Sequence, residues 1–351
     1  MLFKKTSHLV GLDIGSGALK ASEIVETKSG HCLQHFGMLD IAHGAIEEGV
    51  IKDADEIAAS IRKLFNENSF KTQNVAISIG GYSVIVKKIS VQTMTEEQFQ
   101  GVINSEAEQY IPFDISEVNL DYQILGETEN NPNQMDVLLV AAKKEVVDSY
   151  VNLIQMAGLN PCVIDIDTFA LQNIFELNYA PEDENIALID IGAGKTSLNI
   201  LKGNSSLFMR DVTLGCGMIN REIVSLINCS YEEAEQLKYG DQPDKISHDD
   251  LKEIISSVVD DWCNEIRRAL DFFYSAYPDD QIKRIILSGG GAYIKEFREL
   301  LAIETSSEVE IINPFKNIQI DKKSFDISYL ERIAPQAAIS MGLSIRKIDD
   351  K

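Results

Sequence analysis

Apolar and polar positions alternate in two rhythms along this chain, and the places where the rhythm changes mark its elements. Residues 9–14 form a short apolar run that leads through Asp13 into closely spaced glycines, which predicts a buried strand entering a tight turn. Residues 18–26 alternate and predict the returning strand; a turn at 27–30 and a third strand at 32–41 follow. Asp53 is placed to cap a helix whose Ile57, Ile61, Leu64 and Phe65 recur at helical spacing. Residues 75–79 and 84–91 predict two strands, and Gly80-Gly81 between them predicts a hairpin. Thr95 and Gln98 have capping-box spacing and open a helix predicted to reach Tyr110, with Pro112 as its stop. Strands are predicted at 118–125 and 137–142, around a polar surface loop at 127–134. A helix at 144–156 closing on Gly158, a strand at 162–166 and a helix at 168–177 complete this part.

Residues 178–184 contain Pro181 and an acidic cluster without periodicity, and predict a boundary. Beyond it the opening pattern returns. An apolar strand at 186–191 again leads through an aspartate into glycines, with strands at 197–201 and 207–212 behind it. Helices are predicted at 218–226, 231–239 and 249–276. A strand at 284–287 runs into Ser288-Gly289-Gly290-Gly291, followed by a helix at 293–301, a strand at 309–312 and a closing helix at 335–346. The repeat is explicit in the residues: Asp13-Ile14-Gly15-Ser16-Gly17 is matched by Asp190-Ile191-Gly192-Ala193-Gly194, about half the chain later.

Length and composition narrow the possibilities. At 351 residues the chain suits two domains, since one domain takes roughly 100–200 residues. Hydrophobic residues at 44% supply a core, so disorder is not expected. A net charge of -23 repels phosphate backbones and anionic membranes, which excludes nucleic acid as an expected partner. Lys4 and Lys5 are too few to anchor the chain to a membrane and predict a solvated tip. The first eight residues lack an apolar signal region, and no run approaches about 18 apolar residues, so a cytoplasmic location is expected. Cys32, Cys162, Cys216, Cys229 and Cys263 form no C-x-x-C pair and predict free thiols. His8, His31, His35, His43 and His248 show no metal spacing.

The repeated turn has a chemical use. Glycines let backbone N–H groups approach an anion without a Cβ in the way, and a nest of such groups holds phosphate oxygens. Gly15, Ser16 and Gly17 from one half, with Gly192, Gly194, Lys195 and Thr196 from the other, could clamp a polyphosphate between them. Asp13 and Asp190 would then face Mg²⁺, holding it through water. Lys20 carries the right charge to reach a β- or γ-phosphate. Gly289, Gly290 and Gly291 let an adenosine lie against bare backbone. One such turn is an ordinary glycine turn; two at domain spacing with a third glycine run point to a nucleotide. Neither a Walker A motif nor a dinucleotide fingerprint is present.

These three motifs, in this order, resemble those of the actin, chaperone ATPase and sugar kinase superfamily. Within it the chain is similar to the type IV pilus assembly PilM family. The supporting stretches are residues 9–20, Glu106-Ala107-Glu108-Gln109-Tyr110-Ile111-Pro112-Phe113, Asp121-Tyr122-Gln123, Val140-Ala141-Ala142-Lys143 and Asn313-Pro314-Phe315. The resemblance implies an α/β, actin-like (ribonuclease H-like, duplicated) two-domain fold with an extra subdomain like that of the division protein FtsA. The first half would comprise 1–89, 157–184 and 330–351, the extra subdomain 90–156, and the second half 185–329 with a helical part around 230–280. It also implies ATP and Mg²⁺ as ligands, and Glu235 and Lys238 on the helix that contacts ribose and adenine. Their i, i+3 spacing places them on one helical face, where a plain surface ion pair is the alternative. The implied role is a scaffold of the pilus machine, recruited to the inner face of the inner membrane. Its implied partner is the cytoplasmic tail of PilN, docked near residues 106–113, with other platform or motor proteins beside it. For 106–113 a buried corner that ends a helix is the competing reading. Lys195 departs from the family pattern of a small residue, and either adds a phosphate contact or points to solvent.

Two other functions fit the same superfamily. A small-molecule kinase needs a carboxylate base, for which Asp165 and Asp167 are candidates, although both also read as strand-end and helix-cap residues. A division or filament protein like FtsA would carry a membrane helix after a linker, whereas residues 346–351 are polar. Asp190 is the candidate for orienting water in any slow hydrolysis.

Overall fold

The computed structural model describes residues 8–128, 131–180, 184–238 and 244–348. Expectations for the first seven residues, Pro181, Tyr239 and the last three residues therefore lie outside the described residues. The first half begins with β1 (Val10–Ile14), β2 (Ala18–Thr27) and β3 (Gly30–Asp40), then the short β4 (Ile46–Glu47) and β5 (Val50–Ile51). Next come α1 (Ala54–Glu67), β6 (Asn74–Ile79), β7 (Val84–Gln92), α2 (Glu96–Ala107), β8 (Val118–Thr128) and β9 (Asn131–Lys143). The half ends with α3 (Lys144–Met156), β10 (Asn160–Ile166) and α4 (Asp167–Asn178). The second half holds β11 (Asn185–Ile191), β12 (Thr196–Lys202), β13 (Ser205–Val212), α5 (Gly217–Ile227), α6 (Tyr231–Leu237) and α7 (His248–Ala276). It continues through β14 (Ile282–Ser288), α8 (Lys295–Thr305) and β15 (Glu308–Ile311) to α9 (Ile327–Ser344).

Two five-stranded sheets carry the duplication. Their orders are β10-β6-β1-β2-β3 and β15-β14-β11-β12-β13, with the same mixture of parallel and antiparallel pairs. Helices α4 and α9 lie between the sheets and share one core with both inner faces. They cross tightly: a Cβ on Gly342 of α9 would stand 1.8 Å from the Ala170 carbonyl oxygen of α4. The outer face of the first sheet packs on α1 and α3, and that of the second on α5, α7 and α8. A separate sheet, β7-β9-β8, has its own core with α2, centred on Phe99. Helix α3 packs on α1 and β10, with the first sheet.

Several local expectations are corrected. β6 and β7 do not form a hairpin, because β6 is bonded on both sides by β1 and β10; Gly80-Gly81 instead carries the chain out to the separate sheet. The loop expected at 127–134 is largely strand on either side of two residues outside the described set, since Thr128 pairs with Asn131 and backbone ladders form whatever the side-chain polarity. Helix α2 has its capping box but ends at Ala107, three residues before Tyr110, and tighter turns follow, with Gln109 and Tyr110 N–H groups donating to Glu106 and Ala107 carbonyls. The glycine run enters a 3₁₀ turn at Gly290–Tyr293, so α8 starts only at Lys295. The last helix begins at Ile327, with Pro335 inside it. Proline lacks the N–H that the Glu331 carbonyl would accept, and the Tyr293 hydroxyl donates to that carbonyl at 3.1 Å. The five cysteines are free. Among the described residues no helix is long and apolar enough to cross a membrane, and no cluster of three metal-ligating side chains occurs.

Candidate functional site

The two glycine turns have the same backbone. In the first hairpin Asp13 pairs with Lys20 and Ile14 with Leu19; in the second Asp190 pairs with Ser197 and Ile191 with Thr196. Four residues link each pair, so Gly15, Ser16, Gly17 and Ala18 correspond to Gly192, Ala193, Gly194 and Lys195. The turns meet tip to tip. A Cβ on Gly17 would stand 3.0 Å from the Ala193 Cβ, and one on Gly194 would stand 3.0 Å from the Ser16 Oγ. The second turn is braced from behind: the Cys216 and Gly217 N–H groups donate to the Gly192 and Ala193 carbonyls, each at 2.9 Å. Gly215 permits that contact, because a Cβ there would lie 2.5 Å from the Ala193 carbonyl oxygen.

A cavity of about 420 Å³ opens around this junction, a size that suits a small-molecule ligand. Asp13, Gly15, Ser16, Gly17, Lys20, Asp190, Gly192, Gly194 and Lys195 line it. So do Glu235, Lys238, Gly289 and Gly290 from its far end. Two expected residues do not. The Thr196 hydroxyl is turned away and donates to the Leu214 carbonyl at 2.7 Å. Gly291 packs against Ile191, whose Cγ2 would be 2.3 Å from an added Cβ.

Charges converge on the cavity. Burial pushes the Asp13 carboxyl above its ordinary range, and Lys20, 3.1 Å away, opposes that rise. Burial, with the nearby charge of Asp13, pushes Asp190 up to about 6. Two carboxylates at the strand ends of the two turns, both pushed up chiefly by desolvation, form a donor set suited to a cation. At the far end Glu235 accepts from Asn220 at 2.5 Å and from Lys238 at 2.6 Å, so the expected i, i+3 pair is formed and faces the cavity. Gly289, at φ +81°, lies against the backbone of Ile191 and donates its N–H to the Pro335 carbonyl of α9 at 3.0 Å.

The pattern along the chain marks Lys195 and Asp167 as candidates but not their pairing, nor the parts of Ser78, Gly80, Asp211 and His43. The Lys195 ammonium reaches across the junction to Asp167, at 2.6 Å, and lies 3.6 Å from Asp211 of β13. Asp167 does not cap its helix. Ile166 is the cap residue and no side chain caps it, while the Asp167 carboxylate accepts from Lys195 and, at 2.5 Å, from the Ser78 hydroxyl. Burial alone would raise the Asp167 carboxyl, but Lys195 and these hydrogen bonds hold it below its usual range. Gly80 makes room for the pair: a Cβ there would stand 2.4 Å from the Lys195 Nζ. The Gly81 N–H donates to Asp211. His43 of the first half stacks on Tyr231 of the second, ring centroids 3.6 Å apart. Gly80-Gly81 after a strand was the visible signal, read as a hairpin; Asp211 and His43 had none.

Known proteins share this arrangement to different degrees. The solved PilM-PilN type IV pilus biogenesis complex has a chain that superposes with a TM-score of 0.86 at 28% identity, covering 98% of this chain and 100% of that one. MreB5 of Spiroplasma citri bound to AMPPNP shares the fold, at TM-score 0.52 and 12% identity over 97% and 96% of the two chains. Cell division protein FtsA of Enterococcus hirae is 23% identical over 333 residues, 82% of this chain and 72% of that protein. Against FtsA of Bacillus subtilis, at 24% identity, the match spans 65% of this chain and 57% of the relative. The family model of type IV pilus assembly protein PilM matches residues 11–348, from the first strand through the last helix. A duplicated pair of sheets clasped at two glycine turns is thus the actin-like fold, and the chain belongs to the PilM family.

Proposed function

We propose that this protein is an ATP-binding scaffold of a type IV pilus assembly platform. One observation carries the reading: two glycine turns from different halves meet over a cavity that holds paired carboxylates and a lysine. The N–H groups at Gly15–Gly17 and Gly192–Gly194 would hold phosphate oxygens, and Lys20 would add charge. Asp13 and Asp190 would hold Mg²⁺ through water; the ion would supply charge neutralisation at the phosphates. Glu235 and Lys238 would face ribose and adenine, with Gly289 and Gly290 beneath. Calorimetric titration with ATP, with and without Mg²⁺, tests this. Tight Mg²⁺-dependent binding that weakens in both Asp13→Ala and Asp190→Ala is expected; unaltered binding in both variants refutes the site.

The partner we propose is the cytoplasmic tail of a PilN-type protein, which would bring the scaffold to the inner membrane. The related solved complex pairs PilM with PilN. Residues 106–113 are the proposed docking region. There Ile111 is buried, Pro112 is exposed, and Phe113 lies under the Lys143 ammonium at 4.8 Å. By its contacts we draw the inserted unit at 84–143, since α3 packs with the first sheet. The kinase alternative is weakened because Asp167 is clamped by Lys195 and buried Asp165 lies 3.4 Å from Arg346. Sedimentation with ATP separates the scaffold from an FtsA-like filament former.

A further inference from the structure

One strong charge in the cavity has no part in that reading. By strand register Lys195 stands where the first turn has Ala18. Its ammonium donates to Asp167 at 2.6 Å and to the Ser197 hydroxyl at 3.0 Å, with Asp211 at 3.6 Å. Asp167 opens α4 on the opposite half and lines the same cavity as Asp13 and Asp190. Its two oxygens are taken by Lys195 and Ser78. Gly80 packs directly on the pair and leaves it no room to swing toward that side. A carboxylate so engaged is a poor proton acceptor, because the ammonium and the hydrogen bonds on both oxygens stabilise its ionised form.

We propose that Asp167 is the carboxylate able to act as base toward an attacking water, and that Lys195 is a positioning residue that keeps it engaged. The cleft then retains a nucleoside triphosphate instead of turning it over. This rests on the nucleotide reading above. In the restrained step, Asp167 takes a proton from water as the water oxygen bonds to the terminal phosphorus. The bond from that phosphorus to its bridging oxygen breaks, and the electron pair stays with the diphosphate. A positioned general base contributes about 10²–10⁴ to such a step, and loss of the Lys195 contact should recover part of that.

The experiment compares wild type, Lys195→Ala, Lys195→Arg and the double variant Lys195→Ala/Asp167→Asn, all as the full chain. ATP-Mg²⁺ binding is measured first by calorimetry. A wild type that binds no nucleotide defeats the underlying reading, whatever Lys195 does. With binding present, Lys195→Ala is expected to raise kcat for ATP hydrolysis about 10–100-fold with little change in KM. The double variant, which lacks the base, should lose that gain and fall to the wild-type rate or below it, and Lys195→Arg should keep the restraint. A readout independent of turnover is amide exchange without nucleotide: the Gly81 N–H bonds to Asp211, the second carboxylate near Lys195, and should exchange faster in Lys195→Ala. Lys195→Met keeps the stem and gives the same readings should the alanine variant not fold. An unchanged kcat in a folded variant overturns the proposal. So does a gain that persists in the double variant, or a tenfold loss of ATP affinity, which would make Lys195 a phosphate ligand.

Discussion

The two glycine turns share one backbone and differ in where their lysine points. In the first, Lys20 lies on the returning strand and pairs at 3.1 Å with Asp13 of the same hairpin. In the second, Ser197 takes that place, and Lys195 projects from the turn itself to Asp167 of the other half. Duplication therefore explains the cradle, while a single shifted charge converts a contact within one half into a tie between halves. An ion pair inside a hairpin adds little that the strand register does not already fix. One that spans a cleft couples the positions of two sheets, and its weight is greater because the cleft is drier than the surface.

The largest expected effect tests whether the turns work as one site. Asp13→Ala and Asp190→Ala should each weaken ATP-Mg²⁺ binding about 10–100-fold, the usual cost of losing an outer-sphere carboxylate at a metal site. Equivalent losses would show that the halves contribute alike; loss in one variant alone would break the symmetry. A somewhat smaller effect is expected from Gly215→Ala, which touches no ligand. Its Cβ would meet the backbone of Gly192 and Ala193 at 2.6 and 2.5 Å. Overpacking of that kind costs about 1–3 kcal/mol, measurable by denaturant unfolding, and should also displace the second turn and weaken ATP. Ala21→Gly, inside β2 and outside the first turn, is the control, because it removes bulk without pushing either turn.

Much of this cleft was legible beforehand because its signals are local. A strand, a carboxylate and glycines adjoin one another, so Asp13–Gly17 and Asp190–Gly194 announce themselves as a pair. What escaped is what tertiary structure assembles. Asp167 looks like a helix cap because it precedes a helix; only the position of Lys195 shows that its carboxylate is elsewhere employed. Gly80-Gly81 looks like a hairpin because no local pattern says that β6 already has two neighbours. Pro335 looks like a helix start because nothing nearby shows that a tyrosine hydroxyl forty residues away satisfies the carbonyl it leaves open.

pH gives a finer test of the asymmetry. Asp190 has no lysine on its own hairpin partner and its carboxyl is pushed up to about 6, above the ordinary 3.8. The folded protein therefore holds that proton more tightly than the unfolded chain does. Its contribution to stability is complete below about pH 4 and is lost as pH rises through 6, by about 1–2 kcal/mol after allowance for partial exposure. Asp190→Asn cannot ionise. Its melting temperature relative to wild type should climb between pH 4.5 and 7.5 in nucleotide-free protein. A constant difference across that range would mean that Asp190 is not desolvated.

The smallest effect probes the part of the molecule outside both turns. Thr95 caps α2 in the separate sheet unit: the Gln98 N–H donates to its hydroxyl at 3.2 Å, and its own N–H donates to the Gln98 side chain at 2.9 Å. Thr95→Ala should cost about 1 kcal/mol, the usual worth of such a cap. That unit has a core of its own around Phe99, so amide exchange should quicken in α2 and its sheet and nowhere else. ATP affinity should stay as in wild type. The comparison is sharp because α2 and its core lie apart from the cleft, which the unit meets where Gly81 leads into β7 and its N–H donates to Asp211. If Thr95→Ala did alter ATP binding, that junction would be transmitting strain, and the tie made by Lys195 would extend from the nucleotide cleft to the surface proposed for the partner peptide.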